Sequence, residues 1–315
     1  MLRHLEGHAR TVLPAVRARV FGVPQGAFLP WSTTVDDPDV GPVRLTGELR
    51  DLPGADSVVV LVHGLGGSPD SAYCRLAAAR LEELGYATLS LALRGADLSG
   101  EDFYNVGQTA DLHAAIGSRH LAMYAHVFVL GFSMGGHTAL HLAASAADPR
   151  VRGVVAVCTP LHLHSVQRYI DSPARGLYRK HVLDGLKAIY AAVGARREVA
   201  TPVDEIRRVR RILDWDRLAI APRYGFTSAE HSYEVLSVAP RLGDLRMPSL
   251  LLVAEDDPMV AAELVRQHLP RRAPGLEVHF CEHAGHLAFP RDLDLGLSPR
   301  RGLLGQIDGW FRSLV

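Results

Sequence analysis

The chain has 315 residues, a length that fits one large α/β domain or two smaller domains. Its 48% hydrophobic and 22% charged content excludes a disordered or fibrous chain, and 34 basic against 34 acidic residues leave no net charge to draw it to nucleic acid or an anionic membrane. Three cysteines, Cys74, Cys158 and Cys281, lie far apart beside apolar segments and make neither a disulfide framework nor a CxxC pair, which favours a reducing compartment. No stretch offers a signal-peptide core or the ~18 apolar residues of a membrane helix, so the expectation is a cytoplasmic protein with no stable membrane insertion.

In chain order, the first 56 residues carry Pro14, Pro24, Pro30, Pro38, Pro42 and Pro53 and predict short antiparallel strands at a sheet edge. Strand-length apolar runs follow at Ser57–Val62, Ala87–Ala92, His126–Leu130 and Gly153–Cys158. Helical segments fall between them. Ser71–Leu84 places Leu76, Ala79, Arg80 and Leu84 on one stripe, Thr109–Gly117 follows a polar turn, and Met134–Ala146 is small and apolar enough to be buried. The rhythm breaks at Thr159–Leu245, rich in Arg, Tyr and Pro and without a convincing central strand, which reads as a helical insertion. Within it, Val203, Ile206, Val209 and Leu213 predict one amphipathic helix over Pro202–Asp214, with Arg207, Arg208 and Arg211 toward water. Glu198, Asp204 and Glu205 dilute these arginines and no aromatic stacking platform accompanies them, so a solvated face is favoured over nucleic-acid binding. Strands at Pro248–Ala254 and Leu276–Cys281 and helices at Val260–His268 and Gly302–Leu314 complete the set. Strand and helix in alternation predict a largely parallel sheet: residues 1–158 and 246–315 form the α/β core, with 1–56 as an edge extension and 159–245 as the insertion.

The sharpest chemical signal is Gly131-Phe132-Ser133-Met134-Gly135, a G-x-S-x-G placed directly after a strand and before a helix of small residues. A turn that thrusts the central side chain outward strains its backbone and leaves no room for flanking side chains, hence the two glycines. The helix that follows aims free N–H groups at the place where a carbonyl oxygen would become negative. Ser133 is the candidate nucleophile, and it needs a base held by a carboxylate. Asp257 follows the strand at 248–254, and Pro258 favours it over the adjacent Asp256, which reads as solvated or capping. His286 follows the last strand on a loop after Gly285 and is preferred to His283. Ser, Asp and His thus come in the order that a Ser-Asp-His nucleophile-elbow fold imposes. After the first central strand, His63-Gly64-Leu65-Gly66-Gly67 brings backbone close to the serine, making the Leu65 and Met134 amides the expected oxyanion hole. A phosphate-loop reading fails for want of a Gly-Lys-Ser/Thr, and a dinucleotide reading for want of a third glycine. The pairs His137/His141 and His162/His164 lack an HExxH glutamate or a third ligand, so neither a metal nor an organic cofactor is expected.

Taken together, the chain resembles the α/β-hydrolases, and more narrowly their YheT-like subfamily, also labelled AB hydrolase 4. The resemblance rests on Gly7-His8-Ala9-Arg10-Thr11 with Pro14, on His63 to Tyr73, on Arg94-Gly95 and on Tyr104 to Leu112. Asp214-Trp215-Asp216, Ala221-Pro222 and Gly225-Phe226 extend it through the insertion, so that it runs from about residue 4 to 315. It implies a mostly parallel central sheet with helices on both faces and a helical lid. It also implies hydrolysis of a carboxylic ester, a small molecule with a small to medium acyl group, by Ser133, His286 and Asp257. Two departures stand out: His137 where the family commonly has Asn, and Gly95-Ala96 where it has Gly-Cys. In the lid, Tyr169, Tyr178 and Phe226 are candidate substrate contacts, with core packing as the alternative for each, and His137 could alter the polarity of the pocket. The rival functions are acyl transfer or thioester cleavage through the same three residues, and a noncatalytic binder of this fold, against which the complete residue set argues.

Overall fold

A computed structural model of the protein describes residues 6–12, 22, 26–145, 148–271 and 273–315. Residues 6–12 are helical (α1). Strands β1 (Leu29–Asp37) and β2 (Gly41–Arg50) form the edge hairpin expected of the proline-punctuated N-terminal region. Asp37 shapes its turn by accepting the Asp39 and Val40 N–H groups at 3.1 and 3.2 Å, and Gly41 supplies a φ of 83° there. The central strands are β3 (Ser57–Val62), β4 (Ala87–Ala92), β5 (His126–Phe132), β6 (Val151–Val157), β7 (Ser249–Ala254) and β8 (Leu276–Cys281). They make one eight-stranded sheet in the order β1-β2-β4-β3-β5-β6-β7-β8, parallel from β4 to β8. Every residue of β3, β4 and β7 is buried, as strands covered on both faces must be.

Side chains alternate between two cores. Val58, Val60 and Val62 pack with Leu89, Leu112 and Ala139, whereas Val59 and Leu61 pack with Leu81, Phe128 and Phe311. Helices α2 (Ala72–Glu83), α3 (Ala110–Ile116) and α4 (Met134–Ala143) follow the strands as anticipated. The buried stripe of α2 is a correction, however: it is Cys74, Ala77, Ala78 and Leu81, and Leu76 is 46% exposed. Small residues at i, i+3 and i+4 let this helix lie close to the sheet, a closeness that a stripe drawn through the larger Leu76 misses.

Between β6 and β7 come α5 (Leu163–Ile170), α6 (Gly176–Gly194), α7 (Val203–Arg208) and α8 (Ile212–Trp215). A π-helical turn (Asp216–Ile220), α9 (Ala221–Arg223) and α10 (Ala229–Leu236) complete this stretch. The single helix expected over Pro202–Asp214 is two. Helix α7 ends at an extended Val209, and the Ile212 and Leu213 amides that a continuous helix would bond internally donate instead to Asp171 at 2.8 and 3.1 Å. Of the expected stripe, Ile206 and Val209 are buried but Val203 and Leu213 only half-buried, because the break turns Ile212 inward in place of Leu213; Arg207, Arg208 and Arg211 are exposed as expected. Helices α11 (Ala262–His268) and α12 (Leu303–Arg312) close the chain, α12 stacking Phe311 on Phe128 at 4.2 Å between ring centres. No helix among the described residues is long and apolar enough to cross a membrane.

One buried charge cluster ties these parts together. Arg94, just after β4, donates to Asp37 at 2.6 Å, to Asp102 at 3.1 Å and to Asp111 of α3 at 2.6 and 3.0 Å. Arg223 of α9 reaches the same Asp37 and Asp102 at 2.9 and 2.7 Å. Burial alone would raise the Asp37 carboxyl, but the Arg94 hydrogen bond, the Asp39 amide and the two guanidinium charges outweigh it and bring it down to about 2.

Candidate active site

The C-terminal ends of the parallel strands gather the residues singled out in the sequence, the position at which open α/β sheets bind their ligands. Ser133 follows β5 with φ 53° and ψ −119°, a strained conformation for a residue with a side chain. It is held there from several sides. Its N–H donates to Val157 O at 2.8 Å, and its carbonyl accepts from Thr159 Oγ1 at 3.1 Å and from the Gly136 amide at 3.0 Å. The glycines are sterically obligatory: a Cβ on Gly131 would sit 2.4 Å from Gly135 O, and one on Gly135 would sit 2.3 Å from Val62 O.

Asp257 and His286, on the loops after β7 and β8, form a buried pair. Oδ2 of Asp257 and Nδ1 of His286 are 2.8 Å apart, while Oδ1 accepts the Met259 and Val260 amides at 2.7 and 2.9 Å. The carboxylate is thereby fixed in rotation, and because it accepts from Nδ1–H the lone pair of the ring is left on Nε2. Asp256, by contrast, turns to Arg10 of α1 at 3.1 Å.

The glycine loop after β3 approaches closely, the position of a Gly64 Cβ lying 3.2 Å from Ser133 Cβ. Its amides are mostly occupied: Gly64 N–H donates to Tyr73 Oη at 2.9 Å, Gly66 N–H to Tyr104 Oη at 2.8 Å and Gly67 N–H to Gly64 O at 3.0 Å. The Leu65 N–H has no partner among the described residues, and Met134 N–H opens helix α4. His63 beneath the loop is pushed down to about 4 by burial, so it is a neutral scaffold residue, its Nδ1 2.8 Å from Gly64 O.

Ser133, Leu65 and Met134 line a cavity of about 870 Å³, mouth included, whose walls come largely from the insertion: Leu163, Ile170, Val182, Leu186, Trp215 and Ile220. The four substrate contacts expected from sequence do not line it. The Tyr169 hydroxyl is taken by Arg175, and Tyr178 bonds and stacks on His8 of α1, with 2.7 Å between Oη and Nδ1. Phe226 packs edge-on against His231. His137 of α4 is fully buried, its two ring nitrogens each 2.7 Å from a carbonyl oxygen, of Pro160 and Leu236, so it faces the insertion and not the cavity. His141 turns to the same Leu236 O at 2.8 Å, and His162 stacks on His268.

Two contributors escaped the sequence reading as site residues. Cys158, at the end of β6 with φ 52°, accepts the Leu287 N–H at 3.4 Å and lies 3.9 Å from Gly285 O, so that its sulfur clasps the residues on both sides of His286. Its Sγ, a carboxylate oxygen of Asp257 and a ring nitrogen of His286 all fall within 4.8 Å of one another. Burial first, and the Asp257 charge second, push its thiol far up. Thr11 of α1 accepts the His286 N–H at 2.9 Å and donates to Gly7 O at 2.8 Å. A Cβ on Gly7 would lie 2.0 Å from Asp256 O, so α1 rests directly on the loops that carry Asp257 and His286. The Gly7 to Thr11 motif was visible in the sequence; where it docks was not.

The fold and this constellation define an α/β-hydrolase, and the chain belongs to that family, whose model matches residues 57–292. It is similar over 98% of its length to the candidate esterase YheT of Escherichia coli (strain K12), with 28% identity and 91% of that protein covered. It is also similar to human phospholipase ABHD3, at 22% identity over 82% of this chain and 63% of that one. A monoacylglycerol lipase of Saccharomyces cerevisiae matches at 21% identity, over 67% of this chain and 50% of its own length. Among solved structures, an esterase of Pyrococcus furiosus superposes with a TM-score of 0.52 at 19% identity, covering 84% of this chain and 88% of its own, and shares the fold.

Proposed function

We propose that the protein is a serine carboxylic-ester hydrolase with Ser133 as nucleophile, His286 as general base and acid, and Asp257 as the residue that orients and charges the imidazole. The observation that carries this reading is the pairing of a strained serine at the cavity wall with a buried Asp257–His286 pair whose Nε2 keeps its lone pair. His286 takes the Ser133 proton as Oγ attacks the ester carbonyl. The Leu65 and Met134 amides receive the oxyanion, the alcohol leaves with the proton from His286, and water releases the acid from the acyl-enzyme by the same steps. The names of the relatives, an esterase and two lipases among them, favour an ester over other acyl donors. The helical insertion acts as a lid whose apolar lining receives the acyl chain of a small-molecule ester.

The test is hydrolysis of p-nitrophenyl esters from acetate to palmitate by the wild-type protein and Ser133→Ala, with matched circular dichroism. Activity that peaks at one chain length and vanishes in the variant supports the reading. A folded wild type inactive on every ester, or a Ser133→Ala protein as active as wild type, overturns it.

A further inference from the structure

Asp216 is out of place in the cavity. It opens the π-helical turn of the insertion and shares the lining with Ser133 among mainly apolar neighbours such as Ile212, Trp215 and Ile220. A carboxyl in such surroundings is costly unless it is paired, yet no cation reaches it among the described residues. Arg179 and Arg211 lie 3.9 Å from Asp171 instead, and Arg217 bonds Glu230. The one partner of Asp216 is the Tyr233 hydroxyl, 2.6 Å from Oδ2, which leaves Oδ1 with no protein partner among the described residues. Gln167, also in the lining and 4% exposed, spends its amide N–H on Asp171 at 2.6 Å and keeps its carbonyl oxygen. π-Helical turns of this kind are frequent at functional sites because they break the backbone register to aim a side chain.

We propose that Asp216 is the specificity-determining residue of this cavity: its free carboxyl oxygen binds a hydroxyl group on the chain of the ester, so that the preferred substrates are hydroxylated and not plain hydrocarbon esters. The substrate class rests on the ester-hydrolase reading; the hydroxyl site does not. Burial pushes the Asp216 carboxyl up to about 7, with the Tyr233 hydrogen bond opposing and the Asp171 charge assisting. Near neutral pH both protonation states are therefore populated. A hydroxyl suits both, donating to the carboxylate or accepting from the acid, whereas an ammonium group would need the ionised form and would have to be stripped of water.

Two measurements on the full chain separate the site from the reaction. Binding of 1,8-octanediol and 1-octanol is followed by tryptophan fluorescence, since Trp215 lines the cavity, and kcat/KM is compared for methyl octanoate and its 6-, 7- and 8-hydroxy derivatives. One good hydrogen bond gives a preference of about tenfold for the diol and for at least one hydroxy ester. Asp216→Leu, of similar branched shape, is expected to abolish the preference, and Asp216→Asn, which can still meet Tyr233, to keep part of it. Each preference is a ratio within one protein, so a partly unfolded variant does not distort it; a preference that persists undiminished in Asp216→Leu overturns the assignment to Asp216, and Asp216→Asn, which must weaken it, decides the matter if the leucine variant fails to fold. Equal binding of both alcohols with equal turnover of all four esters overturns the hydroxyl site and leaves the hydrolase reading standing. A diol preference with no hydrolysis of any ester upholds the site and overturns the reaction.

Discussion

Replacing Arg94 by Ala would strand three carboxylates. Asp37, Asp102 and Asp111 are 7%, 1% and 1% exposed, and Arg94 gives them five side-chain hydrogen bonds besides its backbone N–H to Asp111. Arg223 remains for Asp37 and Asp102, but Asp111 of α3 keeps no cation among the described residues. Removing one partner from a buried ion cluster costs about 3–5 kcal/mol, a large part of the roughly 5–15 kcal/mol by which domains are stable. Urea unfolding at pH 7, followed by circular dichroism, reads this loss directly. The pH dependence makes the prediction sharper. In the wild type Asp37 is lowered from 3.8 to about 2, so its contribution, about 2 kcal/mol, is complete above pH 4 and disappears as the pH falls toward 2. Without Arg94 the desolvation that its guanidinium overcame pushes the Asp37 carboxyl up from its wild-type value, so protonation relieves the variant at a higher pH than the wild type. The gap between the two proteins should therefore narrow from pH 7 to pH 4. A gap under about 1 kcal/mol at pH 7, or one that widens on acidification, would refute the reasoning.

The remaining expectations concern the site and its scaffold. Asp257→Asn and His286→Ala should each lower kcat by about 10³–10⁴ with unchanged circular dichroism, because orientation of the imidazole and proton transfer act as a unit; loss of less than tenfold in either would count against their roles. Thr11→Val removes the acceptor of the His286 N–H, and steady-state kinetics should show a fall of roughly tenfold in kcat with KM nearly constant, restored by Thr11→Ser. The buried histidines make the fold sensitive to mild acid. Burial lowers His63 to about 4 and His141, helped by the neighbouring His137 charge, to about 3, so the unfolded chain binds their protons first. Stability should then fall below pH 6.5, by about 2 kcal/mol for each histidine at pH 5, and urea midpoints that stay level from pH 7 to 5 would contradict it.

How much of this was legible in the sequence depended on the range of the interaction. The central strands were readable because residues buried on both faces leave uninterrupted runs such as Ser57–Val62, and the elbow because its steric demands are met by neighbours in the chain. Asp257 and His286 were readable as a pair because each follows a strand of the sheet, β7 and β8, which lie side by side. What was misjudged depends on partners distant in sequence. Asp171 splits the helix expected over 202–214, the Pro160 and Leu236 carbonyls turn His137 away from the cavity, and His8 and Arg175 draw off Tyr178 and Tyr169. The cavity is lined instead by aliphatic residues of α5 and α6, and their periodicity says that they are buried without saying whether protein or ligand covers them.

The contact between Thr11 and His286 spans 275 positions. On the ribosome the elbow is complete well before the loop that carries His286 has been made, and that loop must then find a helix made 275 residues earlier. Contacts so far apart in sequence form late, which makes the seating of His286 against Thr11 one of the later events of folding. On the roles proposed for these residues, partly folded chains would carry a formed serine turn but no seated His286, and so would be spared premature chemistry on whatever esters surround them.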